Sequence, residues 1–331
     1  MRKITIHLIL GVIVVFNISG KLFAQEKLAQ TGMQFLSVIS DARAAALAGA
    51  VTSLETNSSA LFFNPATMGF NTNLFDASFS MNKWIADINH QNISLSVSPA
   101  EGEYGVFALS LQLVDYGEIL GTVVANTDLG YTDIGKLSAS SYAAGFGYSK
   151  RLSDKFSVGG QVKYVSQDLA DATIPATDST TKSVENKASG LAFDFGTLFK
   201  TGYKSLQFGM SVRNFSQEFK YAQEGFELPL TFSLGISMNV FDFTSLKKEE
   251  HSLLVSINAL DARSHSAQIA VGGEYTFLNK FMLRAGYLTN SDENDVSFGV
   301  GASIFGFVFD YSYTPYGVFG NIQRLSARFS Y

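Results

Sequence analysis

Cysteine is absent from the 331-residue sequence, which excludes disulfide scaffolds, thiolate metal sites and lipid attachment through a thiol. Charge is scarce. Only 16% of residues are Asp, Glu, Lys or Arg, against roughly a quarter in an average soluble domain. A net charge of −5 offers no basic footprint for nucleic acid. Beyond the first twenty or so residues, no apolar run approaches the ~20 residues that a membrane-spanning helix requires. A membrane protein of this composition must therefore cross with strands. Phe, Tyr and Gly are abundant, at 29, 14 and 29 residues, and the hydrophobic share of 46% argues against disorder.

The start of the chain has the layout of a cleavable export signal. Arg2 and Lys3 precede an apolar run from Ile4 to Ile18, and Ala24 stands before the polar Gln25, Glu26 and Lys27. The expected organisation is a signal peptide at 1–24, an N-terminal segment at 25–73 and a strand-rich unit at 74–331, in an exported protein of the outer membrane.

From Leu74 onward the dominant pattern is alternation with period 2, the mark of strands with two unlike faces. Leu230, Phe232, Leu234, Ile236, Met238 and Val240 interleave with Thr231, Ser233, Gly235, Ser237 and Asn239. The pattern predicts fourteen strands near 74–83, 90–98, 105–115, 138–152, 156–168, 188–200, 205–214, 230–240, 252–259, 266–276, 281–288, 295–304, 307–314 and 321–331. An even number suits a single-chain outer-membrane barrel. The gaps agree with that fold, since such barrels have short periplasmic turns and longer outer loops. Gaps two, four and six are short (99–104, 153–155, 201–204), whereas gaps three, five and seven are long (116–137, 169–187, 215–229). One periplasmic turn, 241–251, is longer than the rest and holds the solvated charge run Lys247 to Glu250.

A soluble β-sandwich also alternates, but its exposed face would need more charge than this chain has. The prolines fall in gaps or at strand starts, where a missing backbone donor costs little. The expected fold is all-β: a fourteen-stranded antiparallel transmembrane barrel with a short N-terminal helical hatch.

Residues 25–73 do not alternate. Asp41 to Ala50 reads as a short alanine-rich helix with Asp41 as N-cap, too weakly amphipathic for a surface and suited to close packing within a barrel. Asn64-Pro65-Ala66 must interrupt regular structure. The runs Gly32 to Leu36, Asp41 to Ala50 (with Arg43) and Asn57 to Ala66 resemble the N-terminal signature of the PorV/PorQ family, within the wider class of barrels similar to FadL, the long-chain fatty-acid transporter. The resemblance implies fourteen strands, an N-terminal hatch and a place in the outer membrane. It further implies a role in type IX secretion, with the translocon, attachment-complex proteins and secreted cargo as partners.

The residues themselves offer little catalytic chemistry. His7 lies in the signal, His90 and His265 at outer strand ends and His251 in a periplasmic turn, all read as exposed loop histidines. No metal site, cofactor or catalytic triad is expected, and the chain is read as non-enzymatic. Gly145, Gly147, Gly299 and Gly301 sit within strands and are read as inward glycines that make room for the hatch. Lys163, Asp194, Arg213, Glu274, Arg284 and Asp310 fall on the inward face, because Lys or Arg facing lipid at the midplane costs ~2–4 kcal/mol. They either ion-pair to hold the hatch or line a polar path. Tyr116, Tyr131, Phe219, Tyr221 and Phe226, among acidic neighbours in the long loops, are candidates for a protein contact surface or for the outer aromatic girdle. The expected function is binding and handing over secreted proteins. The alternative is passive transport of small hydrophobic molecules through an apolar pocket, in contact with outer-membrane lipid.

Overall fold

A computed structural model describes residues 31–39, 41–175, 181–221, 225–244, 246, 250–291 and 295–331. The expected signal peptide, residues 25–30 of the hatch segment and residues 247–249 of the charge run lie outside the described residues.

Fourteen strands form a closed barrel. They are β1 (Phe75–Lys83), β2 (Asn89–Val97), β3 (Val106–Asp115), β4 (Ser140–Ser153), β5 (Phe156–Asp168), β6 (Lys187–Lys200), β7 (Gln207–Ser216), β8 (Thr231–Asn239), β9 (His251–Ala262), β10 (Gln268–Phe277), β11 (Phe281–Leu288), β12 (Val296–Ile304), β13 (Phe307–Pro315) and β14 (Asn321–Ser330). Each pairs antiparallel with its sequence neighbours, and β1 closes on β14 in the register Asp76↔Ser330 to Lys83↔Gln323. Closure leaves no unpaired edge in hydrocarbon, where an unsatisfied backbone group costs several kcal/mol.

Alternation sorts the side chains. Phe79, Leu95, Phe107, Phe146, Phe195 and Phe298 stand on the outside, while Ser80, Ser94, Ser96, Ser211 and Ser312 are buried on the inside. Long connections gather at one end and short ones at the other, which makes the long-loop end extracellular. The Phe305-Gly306 connection shows how tight the inner turns are: φ is 51° and 82°, the positive pair of a two-residue hairpin.

The strand ends match the alternation closely, and the largest difference is at β9, which runs on to Ala262. The long loops differ more. Ile119–Val124 pairs with Tyr131–Leu137, Ala172–Pro175 with Thr181–Val184, and Phe219–Lys220 with Gly225–Phe226. Alternation could not reveal these hairpins, because a ribbon in water has no hydrocarbon to sort its two faces.

The hatch runs through the lumen. Thr31 forms a parallel bridge to Glu227 at the extracellular mouth. The chain then makes a 3₁₀ turn at Gln34–Ser37, helix α1 at Ala42–Ala46, and 3₁₀ turns at Asn57–Phe62 and Pro65–Phe70. Helix α1 lies against β11 to β14, the second of the 3₁₀ turns against β1 to β3, and the last against β4 to β6, so the segment tours the wall. The helix stops short of the predicted Ala50. Ala48 and Gly49 have φ of 53° and 82°, and the Gly49 N–H returns to the Ala44 carbonyl at 2.8 Å, closing the end.

Wall glycines admit this tour. A methyl at Gly286 would lie 2.5 Å from the backbone of Leu47 and Ala48, and one at Gly299 would collide with Ala46. Gly147 makes room for Leu61 in the same way, whereas Gly145 and Gly301 make room for the polar lumen groups Gln161, Ser110, Asp310 and Arg284 rather than for the hatch. Gly286→Ala should therefore lower stability by about 1–3 kcal/mol, the typical cost of overpacking. Gly273→Ala, whose methyl would meet nothing within 4 Å, should change it by less than about 0.5 kcal/mol. Urea unfolding of both variants checks the pair.

Candidate functional site: hatch locks and mouth cavity

Helix α1 is held from both sides. The Asp41 side chain accepts the Ala44 N–H at 2.8 Å, the N-cap bond, and the Ala42 N–H donates to Ser326 Oγ of β14 at 2.8 Å. Arg43 forks onto the Glu274 carboxylate of β10 with two bonds of 2.8 Å. Glu274 also accepts from Arg284 Nε of β11 at 2.5 Å, and Arg284 Nη1 donates to Asp310 of β13 at 2.7 Å. Two guanidiniums and two carboxylates thus alternate across hatch and wall. Such bidentate pairs fix geometry as well as charge.

A second cluster forms at a bulge. Asp194 of β6 stands opposite both Arg213 and Asn214 of β7, where the register shifts. Asn214 has φ of 63°, and the bulge turns two consecutive side chains inward. Lys163 Nζ donates to Asp194 at 2.8 Å and to Asn214 Oδ1 at 2.6 Å, and Asp194 also accepts the Asn214 N–H at 2.7 Å. Arg213 reaches the hatch, donating to the Phe62 carbonyl at 2.6 Å. The six inward ionisable residues thus form two clusters, each tied to the hatch.

Asn64-Pro65-Ala66 is a third lock. Asn64 is fully buried; its Oδ1 accepts the Ala66 N–H at 3.1 Å, and its Nδ2 donates to the carbonyls of Thr52 at 2.7 Å and Thr197 of β6 at 3.1 Å. Pro65 occupies the first helical position, where a missing N–H costs nothing. Sequence reading missed Asp76, which accepts from Asn57 Nδ2 at 3.1 Å, the Ser58 N–H at 2.9 Å and Ser330 Oγ at 2.6 Å across the barrel seam. It also missed Arg324. Both lie on the inward parity of their strands, and that same rule would have found them.

Above the hatch a cavity of about 690 Å³ opens toward the extracellular side. Phe35, Phe63, Trp84, Tyr116 and Tyr316 give it aromatic walls, and Arg213 and Arg324 reach it from different sides of the barrel. His90 corrects an expectation: it is 4% exposed, edge-on to Trp84 and facing this cavity, because its parity on β2 points inward. His265 also borders the cavity, while His251 opens β9 and bonds Tyr275 Oη at 2.8 Å. The loop aromatics bring a second correction. Tyr116, Phe219, Tyr221 and Phe226 fold into an apolar cluster with Met33, Leu36 and Leu228 beneath the mouth. Tyr221 stacks on Phe226, and its hydroxyl donates to Gln167 at 2.6 Å. Burial of their rings outweighs exposure, so of the five only Tyr131, 46% exposed, stands on the surface. Among the described residues no cluster of three or more His, Asp or Glu could hold a metal ion.

Residues 56–316 match the family model described as "Type IX secretion system membrane protein PorP/SprF". The chain belongs to that family. The matched family is PorP/SprF, whereas the N-terminal motifs resemble PorV/PorQ; the two assignments agree at the level of type IX secretion membrane proteins. No curated protein matches. Among solved structures, the Pseudomonas putida toluene transporter TodX superposes with a TM-score of 0.56 at 14% identity, covering 87% of this chain and 96% of that one. The CymD monoaromatic hydrocarbon channel gives 0.57 at 12% identity, with coverage of 88% and 97%. A Pseudomonas aeruginosa FadL homologue gives 0.54 at 14% identity, with 88% and 98%. These likenesses show the fold, a FadL-like barrel, for this PorP/SprF family member.

Two outcomes follow from the locks. Glu274→Gln strips the shared carboxylate from two buried guanidiniums and should cost about 3–5 kcal/mol in urea unfolding, with the hatch becoming open to protease. Burial raises the Asp41 carboxyl above its ordinary 3.8, with repulsion from Asp310 adding to it and the Ala44 N–H opposing it. The folded chain thus binds this proton more tightly than the unfolded one. That stabilisation is complete below about pH 3.8 and is lost as pH rises through the raised folded value. Asp41→Asn keeps the cap acceptor without the charge, so it should be more stable than wild type at pH 8 and show no gain at pH 3, read as unfolding midpoints.

Proposed function

We propose that this protein is a non-enzymatic outer-membrane partner of the type IX translocon, one that receives secreted polypeptides at the cell surface and passes them on. The observation that carries the reading is the family match across residues 56–316, nearly the whole barrel. The hatch supports it. A lumen crossed by an ion-paired lock and two locks onto backbone carbonyls is built to stay closed, which suits a barrel that positions partners better than one that conducts. The translocon, attachment-complex proteins and cargo are the partners this reading calls for, and a handover role like that of PorV is its finer form. Deletion of the gene should remove specific proteins from the medium and cell surface, and pull-down from native membranes should recover cargo or translocon. An unchanged secretome would overturn the reading.

One observation favours a second reading, passive uptake of small hydrophobic molecules. The mouth cavity has aromatic walls, and solved structures with this fold include a toluene transporter and a monoaromatic hydrocarbon channel. Uptake into liposomes that disappears when residues 41–66 are disturbed would support it.

A further inference from the structure

The mouth cavity has an unbalanced charge. Among its described lining residues there are two arginines and no aspartate or glutamate. Arg213 has Asp194 nearby, but that carboxylate is already engaged by Lys163 and the Asn214 N–H, and Arg213 donates to the Phe62 carbonyl. Arg324 is 3% exposed, and among the described residues no carboxylate forms a salt bridge with it. Its Nε donates to the Ile39 carbonyl at 2.8 Å and its Nη1 to Thr314 Oγ1 at 2.9 Å, both neutral acceptors. A guanidinium this buried is costly without an anion beside it.

The surroundings of Arg324 are aromatic. It stands 5.7 Å from the Trp84 ring, Trp84 meets Tyr316 edge-on at 5.3 Å, and His90 also meets Trp84 edge-on at 6.2 Å. Phe35 and Phe63 close the cavity from the hatch. Flat apolar walls beside a preorganised planar fork of donors match a ligand with a ring at one end and a planar anion at the other.

We propose that this cavity is a binding site for a small aromatic carboxylate, with the ring among Trp84, Tyr316 and the hatch phenylalanines and the carboxylate on Arg324, Arg213 supporting it from another side. The site deepens the second reading above, in that it assigns a ligand to the same cavity, and it is independent of the secretion role.

Trp84 is the sole tryptophan of the chain and lies in the cavity wall, so its fluorescence reports occupancy directly. The full chain in lipid nanodiscs should show a saturable change with phenylacetate at a concentration at least tenfold below that needed by phenylethanol, with no response to phenethylamine. Arg324→Gln should weaken phenylacetate at least tenfold and Arg324→Lys less. If Arg324→Gln does not fold, Arg213→Gln, expected to weaken binding severalfold, tests the charge instead. No saturable change, equal affinity for the alcohol, or wild-type affinity in the glutamine variants would overturn the site; hexanoate binding as tightly as phenylacetate would overturn the aromatic assignment. Binding in nanodiscs without liposome uptake would leave the site standing and remove the transport reading, whereas uptake of toluene without phenylacetate binding would do the reverse.

Discussion

Closing a sheet in hydrocarbon forces each strand to place its charges on one side, and that side encloses a space the same chain must then satisfy. In this barrel the satisfying groups come from the hatch. Arg43 completes the Glu274, Arg284 and Asp310 network, Phe62 supplies an acceptor to Arg213, and Asn57 and Ser58 supply donors to Asp76. Without the hatch these wall groups would face each other with their charges half-paired. The wall and its filling are therefore one structure, and neither is stable in this form without the other.

Small residues make the arrangement possible. Ala42, Ala44, Ala45 and Ala46 let α1 approach the wall, and glycines such as Gly286 let the wall approach α1. Alanine is the best helix former and has no side-chain entropy to lose, so a helix of one turn persists where a larger sequence would neither fit nor hold. The polar bonds then set position within a slot that packing alone would leave loose.

The filling stops below the outer mouth. There the inward parity continues, and Arg324 and Arg213, each bonded to one hatch carbonyl, border a space whose described lining holds no carboxylate. The contrast between the balanced charges around α1 and the unbalanced ones around the mouth separates a structural region from one available to a ligand. Membership of the PorP/SprF family places both regions in a type IX secretion membrane protein, whose lower lumen is closed by the hatch and whose upper lumen is open and lined by two arginines among the described residues.

Period-2 alternation needs only the sequence and a hydrocarbon exterior, so the strand number, their ends within a few residues and the inward side of Lys163, Asp194, Arg213, Glu274, Arg284 and Asp310 were all legible without a structure. The Asp41 cap and the break at Asn64-Pro65 were equally local. Other features were decided only by the tertiary structure, because they depend on what lies across the lumen. Arg43 finds Glu274 more than two hundred residues away, a bulge turns Asn214 inward beside Arg213, and Phe219, Tyr221 and Phe226 leave the surface for a cluster with Met33 and Leu36. Local pattern states which way a side chain points; which group it meets there is set by closure of the barrel and by the path of the hatch through it.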